Sequence, residues 1–187
     1  MNIILASQSP RRRELMELFH LPFSVQVADI DETMDEGKEV AQEVARVSRA
    51  KAQAIVCQDD DIVIAADTVV VCDNAVLGKP KDPEDAFRML KMLSGRSHQV
   101  MTGMTVKRGA HLVSCTEITE IRFRALQDQE IWDYIATNEP MDKAGSYGIQ
   151  SGAAIFAESI HGDYYNVVGL PVCKLYKILK PMMEESQ

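Results

Sequence analysis

The chain has 187 residues, 46% of them hydrophobic and 26% charged, with a net charge of −8. That length buries a proper core in one large domain or two small lobes, and the acidic balance argues against general adhesion to nucleic acid or to an anionic membrane. No cationic segment leads into an apolar run at the start and no stretch approaches the length of a membrane span, so a cytoplasmic location is expected. Cys57, Cys72, Cys115 and Cys173 have no CxxC spacing and read as reduced, mostly buried thiols. His20, His98, His111 and His161 show no ligand spacing and read as surface or satisfied core histidines; Walker A, GxGxxG and HExxH patterns are absent.

In chain order, Ile3 to Ala6 is a short apolar run that reads as a buried strand. Ser9 is a good N-cap and Pro10 suits a first helical position, so a helix should start at about Pro10 with Leu15 and Leu18 to Phe19 as its apolar side. Arg11, Arg12 and Arg13 then fall in its first turn, where the helix dipole disfavours cations unless an anion offsets them. Ser7, Ser9, the free amides and the arginines therefore point to an anion site, with phosphate the natural ligand. A solvated basic face is the plainer alternative.

Pro22 precedes Phe23 to Val27, an alternating run expected as a half-buried strand. An acidic loop, Asp29 to Thr33, leads to a helix from about Glu39 to Cys57 with Val40, Val44, Val47 and Ala54 on one side and Lys51 off the centre of that stripe. Ile62 to Cys72 is a β-branched strand interrupted by Ala-Ala-Asp-Thr. A carboxylate in that apolar context, Asp67, is costly unless it is paired, hydrogen-bonded or metal-bound. It can coordinate a hard divalent cation or take a proton from a water.

Asp73-Asn74 is a turn that returns the chain through Ala75 to Leu77, bringing Lys79 of Gly78-Lys79-Pro80 back toward Asp67. Asp82-Pro83-Glu84-Asp85 starts a helix whose apolar face is Ala86, Met89, Leu90 and Leu93, ended by Gly95. Ser97 to Lys107 and Leu112 to Arg124 read as long strands joined around Arg108-Gly109. A helix follows over about Asp128 to Ala136 with Ile131, Tyr134 and Ile135 inward. Gln127 is a poor cap, so Asp128 is expected to cap a helix shortened by one residue. Glu139 to Gln150 is a polar, Gly-containing structured loop able to lie against a ligand.

Several of these stretches together resemble the Maf family of nucleoside triphosphate pyrophosphatases. They are Leu5-Ala6-Ser7-Gln8-Ser9-Pro10-Arg11-Arg12, Ala66-Asp67-Thr68, Gly78-Lys79-Pro80, Lys143-Ala144-Gly145 and Gly148-Ile149-Gln150. Gly162 to Pro171 resembles the family's closing strand and the Gly-Leu-Pro that leads into its last helix, so the likeness spans about residues 3–180. Where the family commonly has two glycines around one residue, this chain has Ser151-Gly152-Ala153.

The resemblance implies an α/β fold, a long mixed β-sheet flanked by helices and bent into two lobes with a cleft between them, and a homodimer. It implies that Glu32 and Lys51 face the cleft, that Asp67 is the catalytic proton acceptor, and that the reaction is α,β cleavage of a triphosphate. Asp67 and Glu32 would hold Mg²⁺ or Mn²⁺, while Ser7, Arg11, Arg12, Lys51 and Lys79 share the phosphate charge.

In the family, the positions of Arg12, Thr68 and Gln150 separate a branch acting on dTTP and UTP from one acting on N7-methylated GTP, where glutamate replaces the glutamine. A carboxylate only accepts hydrogen bonds and suits guanine N1 and N2, whereas an amide both donates and accepts and matches the O4 and N3–H edge of a pyrimidine. Gln150 therefore favours dTTP and UTP, modified uridines included, and a role in nucleotide-pool cleaning; Thr68 leaves room for the ring. Two alternatives stand: a nucleotide- or nucleic-acid-binding regulator of cell division without turnover, and a hydrolase of different base range such as N7-methyl-GTP.

Overall fold

The computed structural model describes residues 1–27, 29–35 and 37–184. Seven strands form one mixed sheet: β1 (Ile3–Ala6), β2 (Phe23–Gln26), β3 (Ile62–Cys72), β4 (Ala75–Leu77), β5 (Ser97–Arg108), β6 (His111–Phe123) and β7 (Ala157–His161). Their order is β2-β1-β3-β5-β6-β7, with β4 attached to β3. The pairs β1–β2 and β1–β3 are parallel; β3–β4 and β6–β7 are antiparallel. The flanking helices are α1 (Pro10–Glu17), α2 (Val40–Ala54), α3 (Pro83–Leu93), α4 (Asp128–Ala136), α5 (Tyr164–Val168) and α6 (Val172–Glu184). No helix among the described residues is long and apolar enough to cross a membrane.

The chain divides into two compact units. The first comprises Met1–Asp67, Thr102–Glu117 and the segment from Gly169 on; the second comprises Thr68–Met101 and Ile118–Val168. In the first unit β1 lies between two parallel neighbours, which is why all four of its residues are apolar and buried. Ile4, Ala6, Val63 and Ala65 pack with Ala52 and Ile55 from α2 and its end. The helix comes down so closely on β5 that a Cβ at Gly103 would meet the Val44 carbonyl oxygen at 2.1 Å. Beneath it runs a satisfied polar seam: Ser48 Oγ to Thr105 Oγ1 at 2.8 Å, Thr105 Oγ1 to Ser114 Oγ at 2.8 Å, and Thr116 Oγ1 donating to the Ala41 carbonyl at 2.6 Å.

The second unit is built on aromatic rings. His98, Phe123, Tyr147, Phe156 and Tyr134 meet edge to face, with centroids 4.9 to 6.0 Å apart. Helix α3 starts as its sequence dictates, Asp82 Oδ1 accepting from the Asp85 amide at 2.7 Å, and all four predicted face residues are buried. Met89, Leu90 and Leu93 each contribute roughly 2 kcal/mol by leaving water. The Asp73-Asn74 turn has φ of 49° and 64°, a left-handed pair that matches the twist of the β3–β4 hairpin.

Several expectations are corrected. Strand β3 is continuous through Ala-Ala-Asp-Thr. Strand β2 is an edge strand, exposed beyond Phe23 rather than half-buried. Leu18 is exposed and Met16 takes its place against the core beside Leu15. Helix α2 stops at Ala54, because Ile55 turns to extended backbone to enter the core, and Ala54 itself is exposed. Helix α4 is not shortened: Gln127 is the N-cap residue and Glu130 Oε2 accepts its amide at 2.9 Å. The expected closing strand over 162–168 is the short helix α5, because Asp163 Oδ1 accepts the amides of Tyr165 and Asn166 at 2.8 and 3.4 Å. Of the four cysteines only Cys72 is buried, and Cys173 is exposed.

Candidate functional site

The candidate site starts where β1 ends. Ser7 Oγ accepts the Ser9 amide at 3.1 Å and a hydrogen bond from Arg12 Nη1 at 3.3 Å. Ser9 Oγ caps α1 by accepting the Arg12 amide at 3.4 Å, with Pro10 in the first turn. Arg12 Nε donates to the Gly169 carbonyl at 2.8 Å, so its guanidinium is pinned from both ends of the first unit's sequence. Burial lowers the Arg12 pKa; Asp67 opposes that, neighbouring Arg11 adds to it, and Glu32 opposes it again. Arg11 and Arg12 thus crowd positive charge at a helix N-terminus, and nearby carboxylates offset part of it.

Those carboxylates converge on one ammonium. Lys51 Nζ lies 2.8 Å from Asp67 Oδ1 and 2.9 Å from Glu32 Oε2. The register Ala6↔Ala65 places Ser7 and Asp67 just past the same rung, at the carboxyl end of the β1–β3 pair, where open α/β sheets take their ligands. Asp67 is 9% exposed and Lys51 8%, so the pair is withdrawn from water, while Glu32 reaches it from the exposed acidic loop. Lys51 is buried on α2 together with Val44, Val47, Ser48 and Ala52, although it lies off the centre of the apolar stripe.

Among the described residues no three His, Cys, Asp or Glu side chains form a metal cluster. Two carboxylates directed at one cation nonetheless suit a hard divalent ion whose other ligands are water and phosphate oxygens. Glu32 and Asp67, which both pair with the Lys51 ammonium here, are the two carboxylates that could hold one.

Thr68, Lys79 and Gln150 belong to the second unit. Thr68 directly follows Asp67 on β3, partly exposed. The β3–β4 pairing ends at Val70↔Leu77, two residues before Lys79, which lies exposed in the bend that follows β4. The segment from Glu139 to Phe156 is a series of 3-10 turns, and its Gly145 amide donates to the Gly78 carbonyl at 3.0 Å. Gly145 has φ of +69° and would drive a Cβ to 2.7 Å from Val70, so glycine is required there. Residues 145–149 are buried and Gln150 emerges exposed.

Sequence reasoning missed two parts. The Gly169 carbonyl that holds Arg12 sits in the Gly-Leu-Pro read only as a helix start. The half-buried Glu139, which gathers the 148–152 segment, was visible only as a charged residue in a loop.

A model of the Maf-like protein family matches residues 2–182. The chain belongs to the Maf-like family. A Maf-like relative from Bacillus cytotoxicus, a dTTP/UTP pyrophosphatase, is 48% identical over 178 residues, covering 95% of this chain and 93% of that one. One of the same description from Clostridioides difficile is 46% identical over 183 residues, covering 96% and 94%. Among solved structures, a HAM1 protein from Coxiella burnetii aligns with TM-score 0.53 at 18% identity over 97% of this Maf-like chain and 99% of the other, a likeness of fold.

Proposed function

We propose that this Maf-like protein hydrolyses dTTP and UTP to the monophosphate and pyrophosphate, and so removes excess or modified pyrimidine triphosphates from the nucleotide pool. The observation that carries the reading is the buried Asp67, set on β3 just past the carboxyl end of the β1–β3 pairing and held on Lys51, which also meets Glu32, beside the Ser7–Arg12 helix N-terminus. Relatives nearly half identical over almost the full chain are dTTP/UTP pyrophosphatases, which supports the same activity here.

Asp67 takes a proton from the attacking water; the water oxygen bonds to phosphorus as the α–β anhydride breaks, and pyrophosphate leaves with the bonding pair. Ser7, Arg11, Arg12, Lys51 and Lys79 hold the phosphate charge, and the amides at the start of α1 add fixed dipoles. Glu32 and Asp67 would hold Mg²⁺ or Mn²⁺, which would supply charge neutralisation on the phosphates and a lowered pKa for water. Gln150 reads the pyrimidine edge, with Thr68 leaving room for the ring. The protein acts as one Maf-type domain, as a cytoplasmic homodimer, without stable binding to nucleic acid.

The test is pyrophosphate release from a panel of triphosphates with Mg²⁺ or Mn²⁺, comparing wild type with Asp67→Asn. Release from dTTP and UTP, absent with N7-methyl-GTP and lost in the variant, supports the assignment. Tight triphosphate binding without turnover would instead favour a regulatory role.

A further inference from the structure

Glu139 is a carboxylate whose acceptors are spent on one short segment. Its Oε1 accepts the Tyr134 hydroxyl at 2.8 Å and a short bond from Ser151 Oγ, and its Oε2 accepts the Gly152 amide at 3.2 Å. The Tyr134 oxygen in turn accepts the Gly148 amide at 3.0 Å. Two residues before Gln150 and two after it are thus tied to the same carboxylate, one through Tyr134 and one directly. Lys143 Nζ donates to the Glu139 carbonyl at 2.7 Å, fixing the base of the loop.

The fit is close on every side. A Cβ at Gly148 would stand 2.9 Å from Glu139 Oε1, and one at Gly152 would stand 3.1 Å from Oε2 and 3.0 Å from the Tyr134 ring. On the inner side Tyr147 hydrogen-bonds the buried His98 at 2.8 Å, so the backbone cannot retreat. Gln150, exposed like Ser151 and Gly152, lies at the middle of this clamp. An ionised carboxylate is suited to it because both its oxygens accept here; an amide would turn its NH₂ either to the Gly152 amide, a pure donor, or to the two hydroxyls, which would have to reorient to accept.

We infer that Glu139 is a positioning residue for Gln150, fixing the direction in which the Gln150 amide meets the nucleobase and thereby setting base discrimination. This rests on the reading that Gln150 contacts the base. A freely swinging glutamine would find partners on several base edges; a clamped one rejects an edge that leaves its groups unpaired.

Two measurements test it on the full chain. In steady-state hydrolysis of UTP, dTTP, CTP and GTP, Glu139→Gln should lower kcat/KM for UTP by roughly 10- to 100-fold, mainly through KM, while GTP changes little and the preference collapses. Ser151→Ala, which removes one tie and leaves the carboxylate, should move the ratio in the same direction by less. An equal fall for every triphosphate, or an unchanged preference, overturns the inference. Amide hydrogen exchange gives a readout independent of activity: in Glu139→Gln the amides of Gly148 and Gly152 should exchange at least about tenfold faster, with β3 unaffected. Unchanged exchange there overturns the clamp. Gln150→Ala separates the two readings: if it leaves base preference intact in an active enzyme, base reading by Gln150 fails, and the exchange data still decide whether Glu139 holds the loop.

Discussion

Lys51 Nζ stands 2.8 Å from Asp67 Oδ1, and both side chains are nearly buried, at 11% and 12% exposure. Neither charge can be removed without consequence for the other, because a carboxylate withdrawn from water needs a donor. Lys51→Met should destabilise the protein by about 1–3 kcal/mol, since Glu32 remains solvated but the buried Asp67 loses its hydrogen-bonded ammonium. Asp67→Asn should cost less, the amide oxygen still accepting from Lys51. A double-mutant cycle read by urea unfolding should return a coupling of about 1–3 kcal/mol; additivity of the two single changes would contradict a working ion pair. Asp67→Asn should also lower kcat by about 10²- to 10⁴-fold.

Gln150→Glu replaces a donor-and-acceptor with a pure acceptor at an exposed position, so folding should be unaffected. The ratio of kcat/KM for N7-methyl-GTP to that for UTP should rise by at least about tenfold. A fall for UTP with no gain for the guanine substrate would mean that the carboxylate disturbs phosphate binding, and the base-edge argument would then be abandoned.

His98 supplies a prediction on pH. Burial pushes its pKa down from 6.5 to about 4, with Nε2 on the Tyr147 hydroxyl and, among the described residues, no hydrogen-bond partner on Nδ1. The folded state therefore refuses a proton that the unfolded chain accepts between these values. Stability from this residue is complete above about pH 6.5 and is lost as the pH falls toward 4, up to about 3 kcal/mol in all. Urea midpoints from pH 7 to pH 4.5 should decline, and the decline should flatten in His98→Gln, whose amide can still meet Tyr147. A wild-type midpoint constant across that range would show that the ring is solvated.

What could be read from the residues alone divides along local and long-range lines. Strand β1 and the start of α1 were legible because Ser9 and Pro10 are local signals that act within a turn. Helix α3 was legible for the same reason. The burial of Lys51 was not legible, because hydrophobic periodicity ranks a lysine as polar, whereas this one is buried by meeting Asp67 and Glu32, residues distant in sequence. The run Tyr164 to Val168 carries strand-favouring side chains, yet Asp163 caps two of its amides and the backbone closes into a helix. Resemblance pointed Glu32 and Lys51 toward the cleft; the structure joins Lys51 to both Glu32 and Asp67.

Gly103 offers the sharpest test of the packing that sets Lys51. Its place on β5 directly under α2 means that an added methyl would lie 2.1 Å from the Val44 carbonyl oxygen, 2.3 Å from its carbon and 2.6 Å from the Ala45 nitrogen. These are backbone atoms of a helix, so no side-chain rotation relieves them. The strand itself would tolerate alanine, and overpacking is the only penalty. Gly103→Ala should therefore cost about 3 kcal/mol or more, measured by denaturant unfolding. The helix can respond only by lifting from the sheet, which carries Lys51 away from Asp67. Activity in Gly103→Ala should consequently fall further than stability alone accounts for, at temperatures where the variant is still folded. A folded variant with unchanged kcat would show that α2 need not be held at this depth for the site to work.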